Sequence, residues 1–387
     1  MAKFWKRLFT DKEEEPSPPN EQELKGKPEI ILLWIDPDHP DLPARVIRAF
    51  AYVEALLKET GAQIRLACAN AGDLLNSIKR NGIEWIDLSG GEIPLSFGDF
   101  VAQETPDLTI ADLCKAPSAN RLREINSHTM LVLLGSSFEE SLFGADAVLL
   151  PGVIAPPAFE TVSFPPSRLG KCIHGEEFIS LPDCYFDEKT DLQEIGLKPC
   201  LAVTESISLE DSLAIANQLQ TACNEEVVIL ADVRELKYRQ FKESMPVNEI
   251  IAGSVTLGER LQALNRSRFV VTHFSLLVYE FMSQGKPLIL LPRTEAETAV
   301  CRLLRERGAA MVCDGGKNRD GDELRNCLIT LWGDESLQKK LGETARRIVA
   351  GEGARRTIVE LMARWKAVPD GMERRRSRKC GRSGGDT

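Results

Sequence analysis

Residues 270–292 read V-V-T-H-F-S-L-L-V-Y-E-F-M-S-Q-G-K-P-L-I-L-L-P, and this stretch decides the fold. An apolar run ends at Thr272, a short turn of His273, Phe274 and Ser275 follows, and 276–284 has the pattern of a helix. A second apolar run, 288–291, comes after Gly285 and Pro287. Unbroken apolar strands linked through a helix belong to a parallel sheet covered on both faces, since each strand is buried on both sides and its neighbour is reached by a crossover.

The same alternation extends in both directions. Upstream, strands are expected at 201–204, 227–231 and 250–251, with helices at 209–222 and 257–265. Downstream come a helix at 299–307 stopped by Gly308, a strand at 310–313, and helices at 322–332, 336–350 and 354–365. An equivalent series occupies the first half. Strands are expected at 29–36, 63–69, 83–88, 108–112, 130–134 and 147–150, with helices at 44–60, stopped by Gly61, and 71–81. The segment 151–199 breaks the pattern, is rich in proline and reads as a connector. The expected architecture is α/β, with two doubly wound Rossmann-like domains, 29–150 and 200–366, facing a central cleft. Ligands of such sheets sit at the carboxyl ends of the strands.

Composition narrows the partners. The 387 residues are 43% apolar and 27% charged, with a formal net charge of −10, which argues against a general nucleic-acid binder. No apolar run is long enough to span a bilayer, and the N-terminus lacks a signal-peptide core, so a cytoplasmic chain is expected. Ten scattered cysteines without a C-x-x-C read as buried free thiols. The four histidines show no ligand spacing, so neither a metal nor another cofactor is expected. Residues 1–28 form a separate unit. Phe4, Trp5, Leu8 and Phe9 share one face of a short basic helix, ahead of the acidic, proline-rich D-K-E-E-E-P-S-P-P-N. That composition fits a contact with the inner-membrane surface, or equally a helix packed on the body of the protein. The basic tail 367–387 has no apolar face and is expected to be disordered.

The chain resembles the GT-B-fold sugar-nucleotide proteins. It is most similar to the pseudaminic-acid-pathway UDP-sugar hydrolases (PseG- and SpsG-like), which are related to the MurG-type glycosyltransferases. The resemblance covers about Glu29 to Trp365. It rests on I-D-P-D-H-P-D-L-P-A-R-V-I-R, on T-P-D-L-T-I-A-D-L, on the quoted stretch and on R-L-L-R-E-R-G-A-A. It implies a bound UDP-linked sugar, no metal, a ribose held by Glu280 and a phosphate contact at Arg48. Asp112 matches the family's strand-ending aspartate.

Four departures bear on the chemistry. Arg45 stands where the family carries its catalytic histidine, and a guanidinium cannot act as a base near neutral pH, although it binds phosphate well. His39 and Asp112 are the remaining catalytic candidates. The phosphate turn has no glycine, leaving His273 and Ser275 as candidate contacts and Ser275 as a helix cap, beside bulky Phe274 and Leu276. Ala296 and Glu297 replace an Asn-Gln pair. Glu295 and Glu297 are thus either a carboxylate pair for acid–base work, with Glu297 at the ligand, or an acidic first turn favoured by the helix dipole. Thr204, Glu205 and Ser206 replace a glycine-rich turn at the start of the second domain. Two functions stay open: a nucleotide-sugar enzyme of cell-surface glycan synthesis, and an inactive relative kept for binding or scaffolding. An open cleft with Glu280 and an arginine converging on it would mark the first. A cleft filled by Phe274 and Leu276 would mark the second.

Overall fold

The computed structural model describes residues 27–39, 41–69, 72–78, 83–89, 96–135, 140–153, 170–187, 197–233, 235–244, 249–253, 255–314, 321–349 and 351–367. Phe4, Trp5, Leu8, Phe9 and the acidic segment after them, residues 368–387, and 154–169 and 188–196 of the proline-rich stretch lie outside the described residues.

Two parallel sheets carry the fold. The first contains β1 (Ile30–Ile35), β2 (Gln63–Cys68), β3 (Glu84–Asp87), β4 (Leu108–Asp112), β5 (Met130–Leu134), β6 (Ala147–Pro151) and β7 (Cys172–Gly175), in the order β3-β2-β1-β4-β5-β6-β7. The second contains β8 (Lys198–Thr204), β9 (Val228–Asp232), β10 (Glu249–Ala252), β11 (Ser267–Thr272), β12 (Leu288–Leu290) and β13 (Met311–Val312), in the order β10-β9-β8-β11-β12-β13. The helices of the first half are α1 (Leu42–Glu59), α2 (Leu74–Ile78), α3 (Phe97–Glu104) and α4 (Ala119–Asn126). Those of the second are α5 (Leu209–Cys223), α6 (Glu235–Ser244), α7 (Leu257–Arg266), α8 (Leu277–Ser283), α9 (Glu295–Glu306), α10 (Gly321–Gly333), α11 (Glu335–Ile348) and α12 (Gly353–Ala367).

Each strand was expected except β7, which lies in the stretch read as a connector and pairs in parallel with β6, giving the first sheet seven strands. Its four residues are too few to show a period. Helices α3, α4 and α6 were also not expected: two are eight residues long, and α6 is a charged helix with a weak apolar stripe. Helix α9 begins at Glu295, four residues earlier than expected, because the Thr294 hydroxyl accepts from the Glu297 N–H at 3.1 Å and caps it.

Side chains of β1 divide by the two-residue strand period. Leu32 and Trp34 enter one apolar layer with Phe100 and Leu122, whereas Ile31, Leu33 and Ile35 enter the other. That second layer does not stop at the domain edge. It runs on through Tyr52, Ile179 and Tyr185 into Leu277, Tyr279 and Phe281 of the second half, so the two lobes share a core. Helix α12 then crosses back to the first lobe, where Arg355 pairs with Glu59 at 2.8 Å and Arg364 donates to the Lys171 carbonyl at 2.8 Å. Gly353 starts that helix because a Cβ there would lie 1.9 Å from the Ile179 carbonyl oxygen. No described helix is long and apolar enough to cross a membrane.

Candidate functional site

Strand order reverses between β1 and β4 in the first sheet and between β8 and β11 in the second. Loops leaving adjacent strands diverge at such points and open a crevice at the carboxyl ends. The sequence candidates cluster there.

In the first lobe Asp112 ends β4 and is buried. Arg45 and Arg48, one turn apart on α1, both turn onto its carboxylate: Arg45 Nη1 at 2.5 Å from one oxygen, Arg48 Nη2 on the other. Burial alone would raise the Asp112 pKa, but the two guanidiniums outweigh it and hold the carboxyl below its usual range. Arg45 and Arg48 each retain a buried Nε with no hydrogen-bond partner. Two cations on one anion leave this cluster with an excess positive charge.

His39 sits beside this cluster, 7% exposed. Burial, then the Arg45 charge, lowers its pKa from 6.5 to about 4, so it is neutral at pH 7. Its Nδ1 accepts from the Asp41 N–H at 3.3 Å, which assigns the ring proton to Nε2. A ring in that state has no free lone pair with which to take a proton. Asp41, unremarked in the sequence, faces both lobes. Its pKa is raised by burial and then by Asp232 across the junction, and its Oδ1 is buried without a partner.

In the second lobe a matching cluster joins Glu280 to Asp232, Arg260 and Tyr185, which were not expected from the sequence. Asp232 ends β9, as Asp112 ends β4. Arg260 of α7 is fully buried and makes a bidentate pair with Glu280, Nε to Oε2 at 2.7 Å and Nη2 to Oε1 at 2.9 Å. It also reaches Asp232 at 3.3 Å and donates to the Gly253 carbonyl at 2.8 Å. Gly253 is required at that position, because a Cβ would fall 2.3 Å from Asp232 Oδ1. The Tyr185 hydroxyl, from the first-lobe side, donates to Glu280 Oε2 at 2.6 Å. Burial would lower the Arg260 pKa, but Glu280 and Asp232 drive it well above its ordinary value. For Tyr185, burial and then Glu280 act together to raise it.

Glu280 is thus 1% exposed and already accepts three hydrogen bonds. Signals for this cluster were present in the sequence. Arg260 falls on the apolar stripe Leu257, Leu261, Leu264 of its helix, and V-I-L-A-D repeats the strand-ending aspartate of L-T-I-A-D. Tyr185 carried no such signal.

The turn after β11 differs from expectation. His273 is buried at the strand end. Ser275 does not cap α8 with its side chain: Leu276 stands at the cap in helical conformation, and Ser275 Oγ has no partner. The turn lacks the extended backbone a side-chain cap needs. Phe274 packs edge-on against Tyr279, ring centroids 6.1 Å apart, and Leu276 packs on the shared core. Glu297 lies in the first turn of α9, where its carboxylate accepts from the Arg293 N–H at 2.8 Å. Arg293 also donates to the Ser206 carbonyl at 2.9 Å, tying two second-lobe loops together.

Between the lobes, Arg48, Ser180, Leu276, Tyr279 and Glu280 line a cavity of about 10 Å³, room for one water. Tyr279 closes its edge by accepting from the Val153 N–H at 3.0 Å, and Gln284 Nε2 donates to the Tyr185 carbonyl at 2.7 Å. Glu280 and an arginine converge on the junction as an open cleft would require, and Leu276 lines it as a filled one would. Among the described residues no group of His, Cys, Asp and Glu is placed to hold a metal.

No family model matches the chain, and no curated protein does. Solved structures match through the fold. Staphylococcus aureus MnaA in a UDP co-structure is 13% identical, aligns over 85% of this chain and 94% of its own, and gives a TM-score of 0.59. A glycosyltransferase from Rickettsia africae is 12% identical over 88% of this chain and 98% of its own, with a TM-score of 0.57. Acinetobacter baumannii MurG is 14% identical over 87% and 99%, with a TM-score of 0.50. With its seven-stranded and six-stranded parallel sheets, the chain has a GT-B-like fold.

Proposed function

We infer that this chain binds a UDP-linked sugar between its lobes and does not turn it over. One observation carries the reading: the cluster of Arg45, Arg48 and Asp112 holds an excess positive charge and two unpartnered Nε donors at the topological switch point of the first sheet. A diphosphate supplies the negative charge and the acceptors that this cluster lacks. The UDP bound by MnaA, a protein of the same fold, supports the ligand class by analogy. Among the described residues, the candidates drawn from the sequence disfavour turnover. Arg45 cannot serve as a base, the neutral His39 has its lone pair engaged, and Glu280 and Asp112 are each held by guanidinium.

Because the cavity holds only a water, the ligand enters as the lobes part and Tyr185 releases Glu280 to a ribose. In this reading the PseG-like likeness reflects descent without retained hydrolysis. The first lobe runs from 29 through β7 at 175 and the second from β8 at 198 to 366, and the protein works at the cytoplasmic face of the inner membrane, with Phe4, Trp5, Leu8 and Phe9 as its contact. His273, Ser275 and Glu297 border the ligand from the second lobe.

The saturated state of Glu280 favours a second reading, in which the closed junction is permanent and the protein is a scaffold that takes no nucleotide. Thermal unfolding with UDP, UDP-GlcNAc and other sugar nucleotides separates the two. A ligand at about 100 times its Kd adds roughly 2.7 kcal/mol, a clear rise in Tm. A rise that Arg45→Gln removes is the expected result; an unchanged Tm with every nucleotide supports the scaffold.

A further inference from the structure

The chain after β7 crosses the lobe junction as a strap. Ile179, Ser180 and Leu181 line the cavity between the lobes, and a single helical turn, Asp183–Tyr185, follows them. The two ends of that turn are tied to different lobes. On the first-lobe side the Asp183 N–H donates to Glu54 Oε2 of α1 at 2.9 Å, and Lys58, one turn further along α1, pairs with the Asp183 carboxylate. On the second-lobe side the Tyr185 hydroxyl donates to Glu280 Oε2 at 2.6 Å, and the Tyr185 carbonyl accepts from Gln284 Nε2 at 2.7 Å. One turn thus joins the helix that carries Arg45 and Arg48 to the carboxylate that a ribose would need.

We propose that the strap 179–187 is a proton-operated latch on the interlobe site, with Glu54 as its switch. Neutral Glu54 keeps the strap down and Tyr185 on Glu280, and ionised Glu54 lets the strap lift.

The switch follows from what faces the Glu54 carboxyl. Lys58 faces it from its own helix, and Asp183, Cys184 and Asp187 face it from the strap. Lys58 and Asp183 are both exposed and pair with each other, so Lys58 does little to offset a charge on Glu54. Burial, then the charges of Asp183 and Asp187, outweigh the Asp183 N–H and Lys58 and raise the Glu54 pKa from 4.5 to about 7. Lifting the strap returns the carboxyl to water and removes both aspartates, so the lifted state holds its proton less tightly. Closure is therefore fully favoured below about pH 4.5 and weakens as pH rises through about 7. What the latch admits rests on the nucleotide reading above; its movement does not.

The test follows the full chain between pH 5.5 and 8 with two readouts. One is hydrogen exchange of peptides covering 179–187, corrected for the intrinsic effect of pH on exchange. The other is affinity for UDP-GlcNAc. Corrected exchange should rise about tenfold across this range, the equivalent of one pKa unit once solvent screening is allowed for, and affinity should rise by a similar factor. Glu54→Gln should stay slow in exchange and weak in binding at every pH. Asp187→Asn, at an exposed position, should move the step to lower pH. Corrected exchange that is flat with pH in the wild type would overturn the latch even if nucleotide binds, as would a step that survives in Glu54→Gln. A step in exchange with no nucleotide bound at any pH would uphold the latch and contradict the nucleotide reading instead.

Discussion

The two lobes end their sheets in ionic clusters of opposite sign. In the first, two arginines share Asp112; in the second, Arg260 is shared by Asp232 and Glu280. The second is saturated, with Glu280 held on both oxygens by Arg260 and capped by Tyr185. The first is not, because Arg45 and Arg48 keep unpartnered Nε groups and the neighbouring Asp41 keeps an unpartnered oxygen. Buried polar groups that are fully paired serve architecture, and those left short mark where something else belongs. On the proposed function, that difference makes the second cluster a structural joint and the first the receptive one.

Arg260→Ala should do the most damage, since it strands two buried carboxylates at once. Urea unfolding is expected to show a loss of about 3–5 kcal/mol, and a loss below about 1 kcal/mol would remove the joint from the account. Asp112→Asn leaves two buried guanidiniums without their anion and should cost about 3 kcal/mol at pH 7. It should also change the acid response. Because the Asp112 pKa is depressed in the folded state, its contribution is complete above the ordinary carboxylate pKa and is lost as pH falls through the lowered value. The wild type should therefore lose more stability in acid than the variant, and equal acid slopes would contradict the pairing.

His39 has its own window. Its folded pKa of about 4 lies below 6.5, so the unfolded chain binds more protons in between, and stability rises with pH across that range. Falling from pH 6.5 to about 4 should cost about 2 kcal/mol after allowance for solvent screening, with His39→Asn flattening the curve. Tyr185→Phe removes a hydrogen bond to a buried carboxylate and should cost about 1.5–2 kcal/mol. If the lobes must part for binding, it should also tighten nucleotide affinity rather than weaken it. Ser275→Ala should shift stability by less than about 0.5 kcal/mol, because its hydroxyl has no partner to lose. A larger loss would mean that the turn after β11 is a joint too.

Much of this was legible in the sequence because burial on both faces leaves an unbroken apolar run, which is why β4 and β5 fell where they were expected, while β8 begins three residues before the expected 201. Strand β7 and helices α3 and α4 were not, since a few residues give no period to read. Arg45, Arg48 and Asp112 were singled out through the family resemblance, but their mutual pairing was not, because Asp112 is far from the two arginines in sequence and meets them only through sheet order. Arg260 was legible in principle, as a charge on an apolar stripe. Tyr185 was not: its part in the joint depends on how the lobes dock, which no local pattern encodes.

Phosphorus NMR of UDP-GlcNAc mixed with the protein tests the central claim most directly, because it reads binding and turnover in one sample. The account predicts that the diphosphate resonances shift and broaden, that Arg45→Gln reverses this, and that no UDP signal grows during prolonged incubation. Growing UDP would contradict binding without turnover, and unchanged resonances would contradict the receptive first cluster.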